Sequence, residues 1–237
     1  MKLFKFIADS GSLSRRKAQE EIKSAMVTVN GKLILDPFFE INTKDDIRYD
    51  QKKIQLKNNY TTILLHKPKG YISSKSDEKG RKTIFELIPK KFSLNHVGRL
   101  DKDTTGAILL TDNGQLSQSL MHPKNKIEKE YLAVTDKFLE NKTIDKIKKG
   151  IFIGSNQKGK AKIISQEKVK NRIEIKMILK QGKKNEIRRI FKFLDLRLFS
   201  LKRERIGDIL LGDLPSGSWL DLSKKETKYL QKIQSKS

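Results

Sequence analysis

Val97-Gly98-Arg99-Leu100-Asp101-Lys102-Asp103-Thr104-Thr105-Gly106 runs directly into Ala107-Ile108-Leu109-Leu110-Thr111. A charged turn held between glycines and followed by an apolar run of strand type places Asp101 at the lip of a buried core, with backbone free to approach a ligand. The same residues also fit an ordinary polar turn. The surrounding pattern bears on the choice. Short apolar runs broken by turns at 61–65, 107–111, 130–134 and 172–179 predict strands, whereas 115–121, 141–149 and 185–194 predict helices. Strands outnumber helices and do not alternate with them regularly. Residues 60–237 therefore predict a mixed α+β domain on a largely antiparallel sheet.

The N-terminal residues read differently. Leu3, Phe4, Ile7 and Ala8 recur at helical spacing, and a helix built on them ends near Gly11. Ser14 suits the N-cap of a second helix whose buried face includes Ala18, Ile22 and Ala25. Val27-Thr28-Val29 then alternates in strand fashion, and Asn30-Gly31 is a two-residue hairpin signal. Residues 1–50 thus predict a small helix-helix-hairpin domain, joined through a polar, basic linker at 51–59. Arg15-Arg16-Lys17 falls in the first turn of the second helix, where each cation opposes the helix dipole at a cost of roughly a few tenths of a kcal/mol. A solvated helix start explains most basic triplets. Here the triplet joins exposed backbone amides at a helix N-terminus, a ready phosphate site, which points to RNA.

Bulk composition agrees. Of 237 residues, 52 are Lys or Arg and 28 are Asp or Glu, a formal charge of +24. With a pI of about 10.0, that excess favours a polyanionic partner, although lysine also serves solubility. The absence of Cys excludes disulfides, thiol nucleophiles and thiolate metal sites. His66, His96 and His122 lack ligand spacing, so no metal site is expected. There is no apolar stretch of signal-peptide or membrane-spanning length, and a cytoplasmic monomer is expected.

From Leu3 to about Asp50 the chain resembles the alpha-L RNA-binding motif, through Ser14-Arg15-Arg16-Lys17-Ala18 and Val27-Thr28-Val29-Asn30-Gly31-Lys32. Two enzyme families compete for Asp101. Asp-x-Asp-x-Thr is the motif of haloacid dehalogenase-type phosphatases, which use the first Asp as nucleophile with magnesium. That motif follows a strongly apolar strand, and Asn95-His96-Val97-Gly98-Arg99 is a poor match. Gly98-Arg99-Leu100-Asp101 resembles instead the catalytic motif of RNA pseudouridine synthases. Leu65-His66-Lys67-Pro68-Lys69-Gly70-Tyr71 resembles the opening strand and turn of the branch acting on ribosomal RNA, with His66 where Asn is commoner. Lys129-Glu130-Tyr131-Leu132 is similar to its Lys-x-Tyr strand. Gly182-Lys183-Lys184-Asn185-Glu186-Ile187-Arg188-Arg189-Ile190 is similar to its arginine helix, with Asn185-Glu186 where many members carry His-Gln or Arg-Gln. The four motifs occur in the family's order over nearly the whole chain.

The resemblance implies isomerisation of a specific uridine in ribosomal RNA, or in a ribosome-assembly intermediate, without metal, nucleotide or redox cofactor. It assigns Asp101 as the carboxylate acting as nucleophile or base at the sugar. Burial raises a carboxyl pKa unless a cation compensates, and Arg188 is the candidate partner. On a helix with Ile187, Ile190, Phe191 and Leu194 inward, Arg188 lies at the edge of the apolar face and Arg189 points nearly opposite, toward solvent or phosphate. Lys129 and Tyr131 share one strand face. A Tyr there can stack on a flipped-out uracil and assist proton transfer, and Lys129 can hold a phosphate. Met121-His122-Pro123, Arg205-Ile206-Gly207-Asp208-Ile209 and Leu214-Pro215-Ser216-Gly217-Ser218-Trp219 look closer to the enzymes of the large-subunit RNA than to that of the small. The rival from another class is a non-catalytic RNA-binding or assembly protein that keeps the fold.

Overall fold

The computed structural model describes residues 1–42, 44–57 and 59–235, which divide into two compact units: Met1–Thr61 with Asp112–Gln115, and Thr62–Thr111 with Leu116–Ser237. In the first unit, helix Leu3–Asp9 buries Leu3, Phe6 and Ile7, and Gly11 follows it at φ +81°. Ser14 caps helix Arg15–Lys23 by accepting from the Lys17 amide at 3.2 Å, and the helix buries Ala18 and Ile22. Ala25, expected inside, is exposed. It takes φ +61° just after the helix and turns the chain instead of packing. Asn30 and Gly31, both at positive φ, close the hairpin between Val27–Val29 and Lys32–Leu33. Ile47–Tyr49 pairs on the other side of Val27–Val29, and Lys52–Lys53 pairs with Ile47–Tyr49, giving four antiparallel strands. The expected linker at 51–59 is therefore partly structure: Ile54 joins the core of this unit at 7% exposure, while Asn58 lies outside the described residues.

A nine-stranded sheet organises the second unit. Its path runs Lys162–Val169, Arg172–Leu179, Lys129–Thr135, Leu198–Ile206, Thr105–Thr111, Thr62–Lys67, Trp219–Asp221, with Ile209–Leu210 and Asn95–Val97 pairing off it. Every pairing is antiparallel except that of Leu198–Ile206 with Thr105–Thr111. Alternation along the strands supplies two cores. Ile63, Leu65, Ile108 and Leu110 face one cluster, which takes in Ile147 of helix Asn141–Lys149 and Ile187, Ile190 and Phe191 of helix Glu186–Phe193. Leu64, Ala107 and Leu109 face the other, with Leu116 and Leu120 of helix Gly114–Met121 and Leu230 of helix Lys224–Ser235. Each such Leu or Ile contributes about 1.5–3 kcal/mol on full burial. Strand Thr105–Thr111 is covered on both faces, and this is why it reads as a continuous apolar run.

Candidate active site

Asp101 sits in the loop between Asn95–Val97 and Thr105–Thr111, and buried groups pin that loop on several sides. The Ser73 hydroxyl donates to the Leu100 carbonyl at 3.0 Å and accepts from the Leu100 amide at 3.1 Å. His96 Nδ1 donates to the Gly98 carbonyl at 2.8 Å, where Gly98 turns the chain at φ +69°. Burial, first of all, lowers the pKa of that imidazole. Lys67 is fully buried, and its ammonium donates to the carbonyls of Pro68 at 3.0 Å, Lys102 at 3.2 Å and Thr104 at 2.8 Å. Burial pushes the Lys67 pKa down to about 8, against the opposing pull of Asp103 and Asp101. A lysine spent wholly on backbone carbonyls holds residues 102–104, and with them the position of Asp101.

The Asp101 carboxylate opens on a cleft of about 1100 Å³ that Lys129, Tyr131, Asn185, Arg188 and Arg203 also line. Arg99, Lys102, Lys183 and Lys184 add positive charge to its walls. Lys129 Nζ donates to the Ile127 carbonyl at 3.1 Å, and burial, helped by nearby Arg203, lowers its pKa to about 8. The Tyr131 hydroxyl lies 3.4 Å from Arg203 Nη1. Arg203 itself is 3% exposed: Nε donates to the Ala107 carbonyl at 2.6 Å, Nη2 has no partner, and no carboxylate lies within ion-pair distance among the described residues. So a buried guanidinium backs the aromatic ring, its Cζ 6.0 Å from the ring centroid.

The arginine pair departs from expectation. No ion pair joins Arg188 to Asp101 among the described residues. Arg188 Nη2 donates to Thr104 Oγ1 at 3.2 Å, bracing the same loop three residues after Asp101, and its Nε is buried without a partner. Asn185 stands at the carboxylate instead: with its amide nitrogen inward it donates to Asp101 Oδ2 at 2.6 Å and Oδ1 at 2.7 Å. Arg189 does point away from the cleft, as the helix face requires, but not to solvent. Its Nε, Nη1 and Nη2 donate to the Ile153 carbonyl, Gln157 Oε1 and the Gly154 carbonyl at 2.7, 2.9 and 2.6 Å. Three of the five N–H donors of this planar fork are spent on protein acceptors, which ties Arg189 to the segment 153–157 where solvent or phosphate was expected. In the N-terminal unit Arg15 and Arg16 are exposed without an ion pair among the described residues, while Lys17 meets Glu21 at 2.8 Å and Glu20 at 3.6 Å.

Residues 61–193, more than half of the chain, match the model of the RNA pseudouridylate synthase family. The chain belongs to that family. It is an RNA pseudouridine synthase, an isomerase that converts uridine to pseudouridine in RNA. Its residues 1–47 match the S4 domain, in keeping with the alpha-L resemblance. The synthase is 35% identical over 237 residues to ribosomal large subunit pseudouridine synthase B of Bacillus subtilis, covering 98% of this chain and 96% of the relative. It is 31% identical over 229 residues to ribosomal small subunit pseudouridine synthase A of Escherichia coli, covering 95% and 98%. A crystal structure of a pseudouridylate synthase superposes with TM-score 0.69 at 28% identity, over 97% of this chain and 99% of the other. The phosphatase reading of Asp101 falls with these findings, and the three-residue edge strand Asn95–Val97 ahead of the loop is not the long apolar strand that motif follows. Lys67, Arg203 and Asn185 were not singled out as site residues from the sequence. A lysine closing the strand Ile63-Leu64-Leu65-His66 and the cation at an inward strand position, two residues after Leu201, were the available signals.

Proposed function

We propose that this synthase isomerises a specific uridine of ribosomal RNA, and that the RNA is that of the large subunit. The relative from Bacillus subtilis, named for the large subunit, is similar over nearly the whole chain at 35% identity, against 31% for the small-subunit relative. The segments at Met121, Arg205 and Leu214 favour the same choice. One observation carries the chemistry: Asp101, Lys129, Tyr131 and Arg188, contributed by a loop, a strand and a helix, open on a single positively charged cleft.

In this reading Asp101 acts on the ribose as nucleophile or base while the bond from base to sugar breaks. The uracil turns and rejoins the sugar through carbon five, whose proton is then lost. Tyr131 stacks on the flipped base and assists that proton transfer. Arg188 fixes the reacting loop through Thr104, and Lys129 holds phosphate or supports the site. Arg15, Arg16 and Lys17 take phosphates at the start of the capped helix, with residues 1–50 serving as RNA clamp and 60–237 as catalytic domain. The protein works as a cytoplasmic monomer on free ribosomal RNA or an assembly intermediate, without a cofactor. Mapping pseudouridines in ribosomal RNA from cells with and without the protein tests this. Loss of a site in the large-subunit RNA supports it; an unchanged map contradicts it, and loss only in the small-subunit RNA overturns the choice of substrate.

A further inference from the structure

Asn185 is where the sequence leaves the family pattern of His-Gln or Arg-Gln, and it is also the residue in contact with the reacting carboxylate. Its backbone is left-handed, φ 53° and ψ 31°, one residue ahead of helix Glu186–Phe193. An amide oxygen against a carboxylate would set acceptor against acceptor, so the nitrogen is the end that faces Asp101. From there it reaches both oxygens, at 2.6 and 2.7 Å.

The second residue of the departure holds the first in place. Glu186 is buried; Oε1 accepts from the Lys160 amide at 3.0 Å and Gln181 Nε2 at 2.6 Å, and Oε2 accepts from the Lys183 amide at 3.0 Å. Those bonds fix the turn that carries Asn185. Arg188 donates to Thr104 and Lys67 to three carbonyls, and neither makes an ion pair with the carboxylate. Among the described residues Asn185 is the one hydrogen-bond donor to it.

We infer that Asn185 is a positioning residue for Asp101, a neutral donor that sets the orientation of the carboxylate where an ion pair was expected. The inference rests on Asp101 being the reacting group. A neutral amide restrains the carboxylate without pairing its charge, and one oxygen can turn to the sugar while the other stays held.

Full-length wild type, Asn185→Gly and Asn185→Asp should be compared in single turnover on unmodified ribosomal RNA transcripts, at saturating enzyme and over a range of pH. Glycine adopts the left-handed conformation freely, so Asn185→Gly removes the amide without backbone strain. Its melting temperature and RNA affinity should match wild type while the rate falls by roughly tenfold to a hundredfold, the scale of a misaligned reacting group. Asn185→Asp sets a second carboxylate against the first, and like charges resist joint ionisation. The Lys67 ammonium, the Asp103 carboxylate and the Arg188 guanidinium are common to all three proteins. The acid limb of the pH–rate profile should therefore move to higher pH in Asn185→Asp and, by less, in Asn185→Gly, where the carboxylate loses the donor that favours its charged form, a displacement that an asparagine without contact to the carboxylate would not produce. Wild-type turnover by Asn185→Gly, or an unmoved limb in Asn185→Asp, overturns the inference alone. Failure of the wild type to convert any uridine removes the functional reading as well.

Discussion

The backbone of Gly106 lies so close to that of Arg203 that a β-carbon at Gly106 would stand 2.2 Å from the Arg203 carbonyl oxygen and 2.6 Å from its amide nitrogen. This is the parallel pairing, Gly106 opposite Arg203 and Thr105 opposite Lys202, through which the strand after Asp101 meets the strand that places Arg203 behind Tyr131. Gly106 also has φ +104°, outside the range of other residues.

Gly106→Ala should therefore cost about 3 kcal/mol, from overpacking and backbone strain together. Urea unfolding checks it. A midpoint equal to wild type would mean that the two strands separate easily, and that the junction does not fix the site.

Arg188 and Arg189 should fail in different ways. Arg189→Ala loses three hydrogen bonds to the segment 153–157, two of them to carbonyls, and should lower stability by about 2 kcal/mol while RNA affinity stays unchanged. Arg188→Ala frees Thr104 in the loop that carries Asp101 and should slow turnover of bound RNA with a smaller loss of stability. Denaturant midpoints and single-turnover rates separate the two. Loss of RNA affinity in Arg189→Ala would restore it to the RNA surface.

Strands and helices with strong apolar periodicity were legible in the sequence to within a residue or two, as at Arg172–Leu179 and Asn141–Lys149. Leu198–Ile206 was not, although it is central to the sheet. Its Lys202-Arg203-Glu204-Arg205 run hides the alternation because a buried position is filled by an arginine. Period alone placed Arg188 toward the cleft and Arg189 away from it. What those guanidinium groups touch depends on Thr104 and Ile153, residues 84 and 36 positions distant, which no local pattern reports. The contact of Asn185 with Asp101 was invisible for the same reason, and only the departure from the family pattern marked the position.

Charge on the first helical turn of the N-terminal unit should act unequally. Lys17 is engaged by Glu21 and Glu20, whose hydrogen bond and charge raise its pKa, whereas Arg15 and Arg16 stand unpaired among the described residues. Each phosphate contact contributes about 0.7–0.9 to the slope of log affinity against log salt. Arg15→Ala and Arg16→Ala should each flatten the slope by roughly that amount, and Lys17→Ala by less. Binding titrations over a salt series check this, and three unchanged slopes would remove the triplet from the RNA surface.

Lys129 gives stability a defined dependence on pH. Its ordinary pKa of 10.5 falls to about 8 in the folded chain, chiefly through burial. Below that value both states hold the proton and the cost of burying the charge is fully present. Between the folded and the ordinary value the unfolded chain binds more protons, so stability rises with pH through that window. Lys67 contributes with the same sign over the same range. Lys129→Met should therefore flatten the rise in denaturant midpoint between neutral and alkaline pH; an unaltered rise would show that Lys129 does not carry a depressed pKa.

The central claim is that the Asp101 carboxylate, held in the cleft by its pinned loop and by Asn185, performs the isomerisation. Asn has the shape of Asp without the charge, so Asp101→Asn should fold and bind ribosomal RNA as wild type does. Single-turnover conversion of uridine to pseudouridine, measured beside a binding titration on the same RNA, is the direct test. The expected result is a rate lower by several orders of magnitude at unchanged affinity. Substantial conversion by the purified variant would contradict the assignment.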